Sequence, residues 1–83
     1  MTAPDWLTSR GGSLKLGSDG QTWYVTLNDQ PHYGLTSVPV QGRFGCHVKQ
    51  TVSGQRIDSA GVYPTSEEAL QAGLDDLRKA LGW

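Results

Sequence analysis

The sequence predicts an α+β domain: an antiparallel β-meander of four to five strands packed against one C-terminal α-helix. Three observations predict it. Polar and apolar residues alternate through the middle of the chain, glycine-containing pairs separate the alternating segments, and leucines recur at helical spacing from Leu70 to Leu81. A sheet with one apolar face needs a second layer, and the helix supplies it.

The predicted strands cover residues at about 13–18, 21–28, 32–40, 43–52 and 55–60. Short connections separate them, and Asp-Gly is a strong signal for a two-residue hairpin turn. Two-residue turns are predicted at Asp19-Gly20, Gln41-Gly42 and Ser53-Gly54, and a three-residue loop at Asp29-Gln30-Pro31.

These turns can be tested against one another, because directly opposed residues of an antiparallel pair lie on the same face. All four registers place the apolar set on one face of the sheet. The expected pairs are Leu16 with Trp23, Leu14 with Val25, Leu27 with Tyr33, Val25 with Leu35, Leu35 with Val48, and Gln50 with Ile57. The inner face then carries the rows Leu16–Trp23–Ser37–Cys46 and Leu14–Val25–Leu35–Val48.

The helix is predicted at about 66–81. Thr65 and Glu68 have the spacing of a capping box, and Gly82 is a suitable helix end. Gly73 falls on the leucine stripe, where it either makes room for Trp23 or is a tolerated imperfection.

The N-terminal segment, residues 1–12, precedes the single α+β domain of residues 13–83. Two alternatives stay open for it. It forms one helical turn that carries Trp6 and Leu7 and closes the core near Trp83, or it is a disordered chain end.

Composition excludes several classes of protein. The 83 residues suffice for one core, and seven basic against eight acidic residues lack the positive excess typical of nucleic-acid binders. No apolar run approaches the roughly 20 residues of a membrane span, and the N-terminus has no signal-peptide pattern. The single cysteine fits a reducing compartment, so we expect a soluble cytoplasmic protein without membrane contact.

No residue pattern predicts catalysis. His32 and His47 are expected roughly 13 Å apart, too far to share a metal ion. Cys46 falls on the inner face, opposite in direction to His47, and no Gly-rich phosphate loop opens a helix. We therefore expect no enzyme, no metal and no cofactor.

The outer sheet face is the candidate site. The predicted registers place Lys15–Tyr24–Thr36–His47 in one row, with Lys49 opposite Asp58. Two interpretations of this face are open. Its cations and one tyrosine are able to contact phosphates and stack on a base, but a sheet face that is merely exposed to solvent carries similar residues. The candidate nucleic-acid or partner-binding residues are Lys15, Tyr24, Thr36, Arg43, His47, Lys49 and Arg56.

Residues 33–81 resemble the AP2/ERF DNA-binding domain in layout. The matching segments are Tyr33-Gly34, Gly42-Arg43-Phe44, Gly54 with Arg56, and residues 61–69, Gly-Val-Tyr-Pro-Thr-Ser-Glu-Glu-Ala. The resemblance implies three antiparallel strands followed by a helix, and DNA binding through the sheet. Only Arg43 and Arg56 match the basic positions of that family's sheet, so the resemblance supports the fold more than the function.

Two functions follow from these residues. The broader expectation is a non-catalytic protein-interaction or self-association module that uses an exposed strand edge, with an unknown protein or a second copy as partner. The alternative is a nucleic-acid-binding module that uses the basic outer face on DNA or RNA.

Overall fold

The computed structural model describes residues 2–57 and 61–83 and confirms the α+β fold class. A four-stranded antiparallel sheet in the order β1-β2-β3-β4 packs against a C-terminal helix. The elements are α1 (Asp5–Thr8), β1 (Gly12–Leu16), β2 (Thr22–Leu27), β3 (Gln30–Val40), β4 (Arg43–Gln50) and α2 (Ser66–Leu81).

Two of the predicted registers are confirmed. Leu16 opposes Trp23 across β1 and β2, and Leu35 opposes Val48 across β3 and β4. The β3–β4 hairpin turns at Gln41-Gly42, whose φ angles of 49° and 81° are those of the left-handed turn that matches strand twist. Alternation and turn chemistry agree here, and the register follows.

The predicted connection between β2 and β3 is wrong. The chain turns at Asn28-Asp29, where both φ angles are positive (54° and 62°), instead of at Asp29-Gln30-Pro31. A β-bulge then leaves His32 without an opposed residue on β2, so Val25 pairs with Tyr33 instead of Leu35. Turn and bulge together shift the register by two residues, and an even shift keeps every side chain on its predicted face.

The shift changes which residues are neighbours on each face. The inner rows are Leu16–Trp23–Leu35–Val48 and Leu14–Val25–Tyr33–Gln50. The outer rows are Lys15–Tyr24–Gly34–Lys49 and Thr22–Thr36–His47, so the predicted row Lys15–Tyr24–Thr36–His47 is wrong.

The chain beyond β4 also differs from the prediction. Gln50 donates its N–H to the carbonyl of Gln55 (2.9 Å) instead of opposing Ile57, because a four-residue connection, 51–54, replaces the two-residue turn. Within the described residues, the predicted fifth strand is an isolated bridge between Lys49 and Arg56. The predicted partner of Lys49, Asp58, lies outside the described residues.

Helix α2 has the predicted bounds and packs across β3 and β4. The Thr65 hydroxyl accepts the N–H of Glu68 at 3.1 Å, and Gly82 ends the helix at a φ of 75°. The buried stripe of the helix consists of Ala69, Leu70, Gly73, Leu74 and Leu77.

Gly73 marks the closest approach of α2 to the sheet. A Cβ at this position would overlap the Cys46 Sγ and lie 3.2 Å from the Val48 Cγ2. The glycine therefore makes room for Cys46 on β4, and the expectation that it makes room for Trp23 is wrong.

The N-terminal segment forms a helical turn, α1, at one end of the core. Leu7 is fully buried and packs against Gly12 at the start of β1. The Trp6 and Trp83 rings meet edge to face with their centroids 6.1 Å apart, and the Arg10 guanidinium lies 4.6 Å from the Trp83 centroid. These contacts join the two ends of the chain.

We predict that Gly73→Ala lowers the free energy of unfolding by about 1–3 kcal/mol, because overpacking against Cys46 outweighs the helical preference for alanine. Adding Cys46→Ala removes the overlapping sulfur and should restore much of that loss. Urea unfolding of both single variants and the double variant measures the coupling. Gly34→Ala is the control, since its Cβ would meet only ordinary contacts of 3.5 Å or more. Additive effects of the two substitutions would contradict this packing.

Candidate functional site

The outer face of the sheet carries a depression of about 640 Å³. Its floor is Gly34, which has no side chain and sits between Tyr24 on β2 and Lys49 on β4. The lining residues are Thr22, Tyr24, Pro31, Gly34, Thr36, His47, Lys49, Gln50 and Thr51.

The Tyr24 ring spans two glycines on this face. A Cβ at Gly34 would lie 3.5 Å from the Tyr24 Cε1, and a Cβ at Gly17 would lie 2.8 Å from its Cε2. The ring is half-buried and is held down on the sheet between the two bare backbones. An aromatic ring fixed in this way loses little conformational entropy when a ligand packs on it.

Hydroxyl groups border the depression. The Thr22 and Thr36 hydroxyl oxygens are 3.1 Å apart in a hydrogen bond, and Thr51 donates its hydroxyl to the Pro31 carbonyl at 2.7 Å. These contacts fix the side chains of β2, β3 and the β4 end relative to one another.

A carboxylate stands beyond Thr22 at one end of β2. Asp19 accepts hydrogen bonds from the N–H of Thr22 (3.0 Å), the N–H of Gln21 (2.9 Å) and the Thr22 hydroxyl (2.8 Å). These hydrogen bonds lower the pKa of the Asp19 carboxyl below its usual value, and the one from the Thr22 N–H has the largest effect. Asp19 is therefore negatively charged at neutral pH.

Cations flank the tyrosine and the glycine floor in a single row. Lys15 on β1 opposes Tyr24, Lys49 on β4 opposes Gly34, and Arg56 pairs with Lys49 beyond it. The three cationic residues are all exposed. Since neighbouring strands lie about 4.8 Å apart, the backbones of Lys15 and Lys49 are roughly 14 Å apart.

The structure brings together most of the predicted site residues. Tyr24, Thr36, His47 and Lys49 line the depression, and Lys15 and Arg56 belong to the row that crosses it. Arg43 lies apart, at the tip of the β3–β4 hairpin, roughly 13 Å from His47 along β4.

Sequence reasoning missed Gly34 as the floor and Thr22, Pro31, Gln50 and Thr51 as lining residues. The sequence contains a signal for the turn alone, because Asn28 and Asp29 are residue types that tolerate the positive φ of a hairpin turn. Only the bulge at His32, which nothing in the local sequence marks, places Gly34 beside Tyr24.

The opposite side of the molecule has a different charge. Helix α2 exposes Glu67, Glu68 and Asp75 in its first three turns, and Arg78 and Lys79 in its last. Acidic groups thus concentrate on the helix, whereas the cations of the sheet lie on the far face.

The described part of the chain contains neither a candidate metal site nor a membrane-spanning helix. In residues 2–57 and 61–83, no three His, Cys, Asp or Glu side chains come together in a way that could hold a metal ion. None of the helices described is both long and apolar enough to cross a lipid bilayer.

No protein-family model, curated protein or solved structure matches the chain. The resemblance to AP2/ERF domains therefore stays a likeness of layout. Within the described residues, the third strand which that layout requires is reduced to the bridge at Arg56.

Proposed function

We propose that this protein is a non-catalytic nucleic-acid-binding module that uses the outer face of its sheet. The observation that carries the proposal is the row Lys15–Tyr24–Gly34–Lys49, in which an aromatic ring and a bare floor lie between two ammonium groups. A phosphate backbone that crosses the face meets a cation on either side of the ring.

The net charge of −1 does not oppose this proposal, because three cations, Lys15, Lys49 and Arg56, lie together in one row on the outer face. Exposed acids Glu67, Glu68 and Asp75 lie on α2, which packs on the inner face of the sheet. At physiological salt the Debye length is about 8 Å, so the local charge of the outer face governs contact with a phosphate.

Lysine and arginine contacts to phosphate release counterions, so the proposal predicts salt-dependent binding. Three cations, Lys15, Lys49 and Arg56, give a slope of log K against log salt of about −2 to −3, at roughly 0.7–0.9 per contact. Fluorescence anisotropy with labelled DNA and RNA oligonucleotides at several salt concentrations measures it.

The matched variants are Lys49→Ala on the outer face and Lys79→Ala on α2, since both lysines are exposed. Lys49→Ala should weaken binding and reduce the slope by about 0.7–0.9. Lys79→Ala should leave the slope unchanged. Absence of binding to every oligonucleotide at low salt, or equal effects of the two variants, would contradict the proposal.

A second candidate function, self-association, is favoured by the free edge of β1. Gly17 donates its N–H to the Thr22 carbonyl (2.7 Å), and hydrogen-bonded pairs alternate along an antiparallel ladder. Gly12, Leu14 and Leu16 therefore direct their backbone N–H and C=O groups away from β2. Leu16 is also 50% exposed, because α2 packs over β3 and β4.

Two β1 strands that pair antiparallel about Leu14 would exchange hydrogen bonds through the Leu14 backbone of each copy, whereas Gly12 is buried beside Leu7. This register places Lys15 opposite Ser13 of the second copy and so avoids an opposed pair of lysines. We expect sedimentation velocity to show a concentration-dependent dimer that Leu16→Lys abolishes. A strict monomer up to millimolar protein would exclude self-association through this edge.

A further inference from the structure

We infer that the outer face takes a single strand with unpaired bases in preference to a duplex. The inference deepens the proposed nucleic-acid function and depends on it. It is drawn from the placement of the charges around the depression and from the shape of its floor.

The cations form one row that crosses the strands, and carboxylates stand at both ends of β2. Asp19 lies in the loop that precedes β2, and Asp29 lies in the turn that follows it. The two ends of β2 are close to Tyr24. At about 3.3 Å per residue, Thr22 at the start of the strand is roughly 7 Å from Tyr24, and Leu27 at its end is roughly 10 Å from Tyr24. The outer face therefore carries negative charge just beyond both ends of β2.

A duplex presents two rows of phosphates, about 6 Å apart across the minor groove and about 12 Å apart across the major groove of DNA. If one row lies along Lys15 and Lys49, the second falls toward Asp19 or Asp29 and meets like charge. Asp19 remains ionised, because the backbone N–H groups of Thr22 and Gln21 lower the pKa of its carboxyl. A single strand has one row of phosphates and avoids both turns.

The floor of the depression also suits an unpaired base. The Tyr24 ring lies between Gly17 and Gly34, where no side chain rises from the sheet, and the depression measures about 640 Å³. Bases inside a duplex expose only their edges, whereas a splayed base is able to stack on the ring. The hydroxyls of Thr22 and Thr36 and the His47 imidazole lie at the same depression to contact the base edge.

The test compares a labelled single strand, as DNA and as RNA, with the duplex of the same sequence, by anisotropy at low salt. We expect the single strand to bind at least about tenfold more tightly, the effect of one good base–aromatic stack. Tyr24→Phe should keep this preference, since the ring remains. Tyr24→Ala should reduce single-strand affinity about tenfold and so abolish the preference for the single strand over the duplex.

Tyr24→Ala also uncovers two glycines and risks a loss of folding, so Gly34→Val provides a second route. Its Cβ would meet Tyr24 and Thr22 at ordinary contact distances of 3.5 Å, and the methyl groups would fill the floor. Selective loss of single-strand binding in Gly34→Val, with an unchanged melting temperature, supports the inference. Equal or tighter duplex binding overturns it and leaves the proposed function standing, whereas no binding to either form overturns both.

Discussion

The close approach of α2 to β4 at Gly73 is the contact on which the arrangement of both sheet faces depends. With no side chain at Gly73, the helix rests against Cys46 and Val48, and its leucines cover β3 and β4. Within the described residues no helix packs over the other face of the sheet, so that face is exposed to solvent. Because α2 packs on the inner face, Tyr24, His47 and Lys49 lie on the face that is open to solvent.

Alternation of residue type predicted which side chains share a face, but it could not predict which of them are neighbours. Faces depend only on whether the register is odd or even, and the true register of β2 and β3 differs from the predicted one by two. The difference arises from the turn at Asn28-Asp29 and from the bulge at His32. Each of them alone shifts the register by an odd number of residues, and together they give an even shift. The extra residue of this bulge has no glycine to mark it, so the local sequence does not predict its position.

Because the register of β2 and β3 was predicted wrongly, the centre of the candidate site could not be identified from the sequence. Tyr24, Lys49 and His47 could be assigned to the outer face from sequence, whereas the placement of Gly34 beside the tyrosine required the true register. Helix α2 was predicted at about its observed bounds because its capping threonine and terminal glycine are local signals. Long-range placement, such as Gly73 against Cys46, left no comparable mark in the sequence.

The central claim, that the outer face of the sheet is the working surface, is tested most directly by amide chemical-shift mapping. A ¹⁵N-labelled sample is titrated with a single-stranded oligonucleotide, and the changes are located along the chain. The account predicts the largest changes in residues 22–24, 34–36 and 47–49, with the amides of α2 unmoved. Changes concentrated on α2, or confined to the β1 edge, would contradict it.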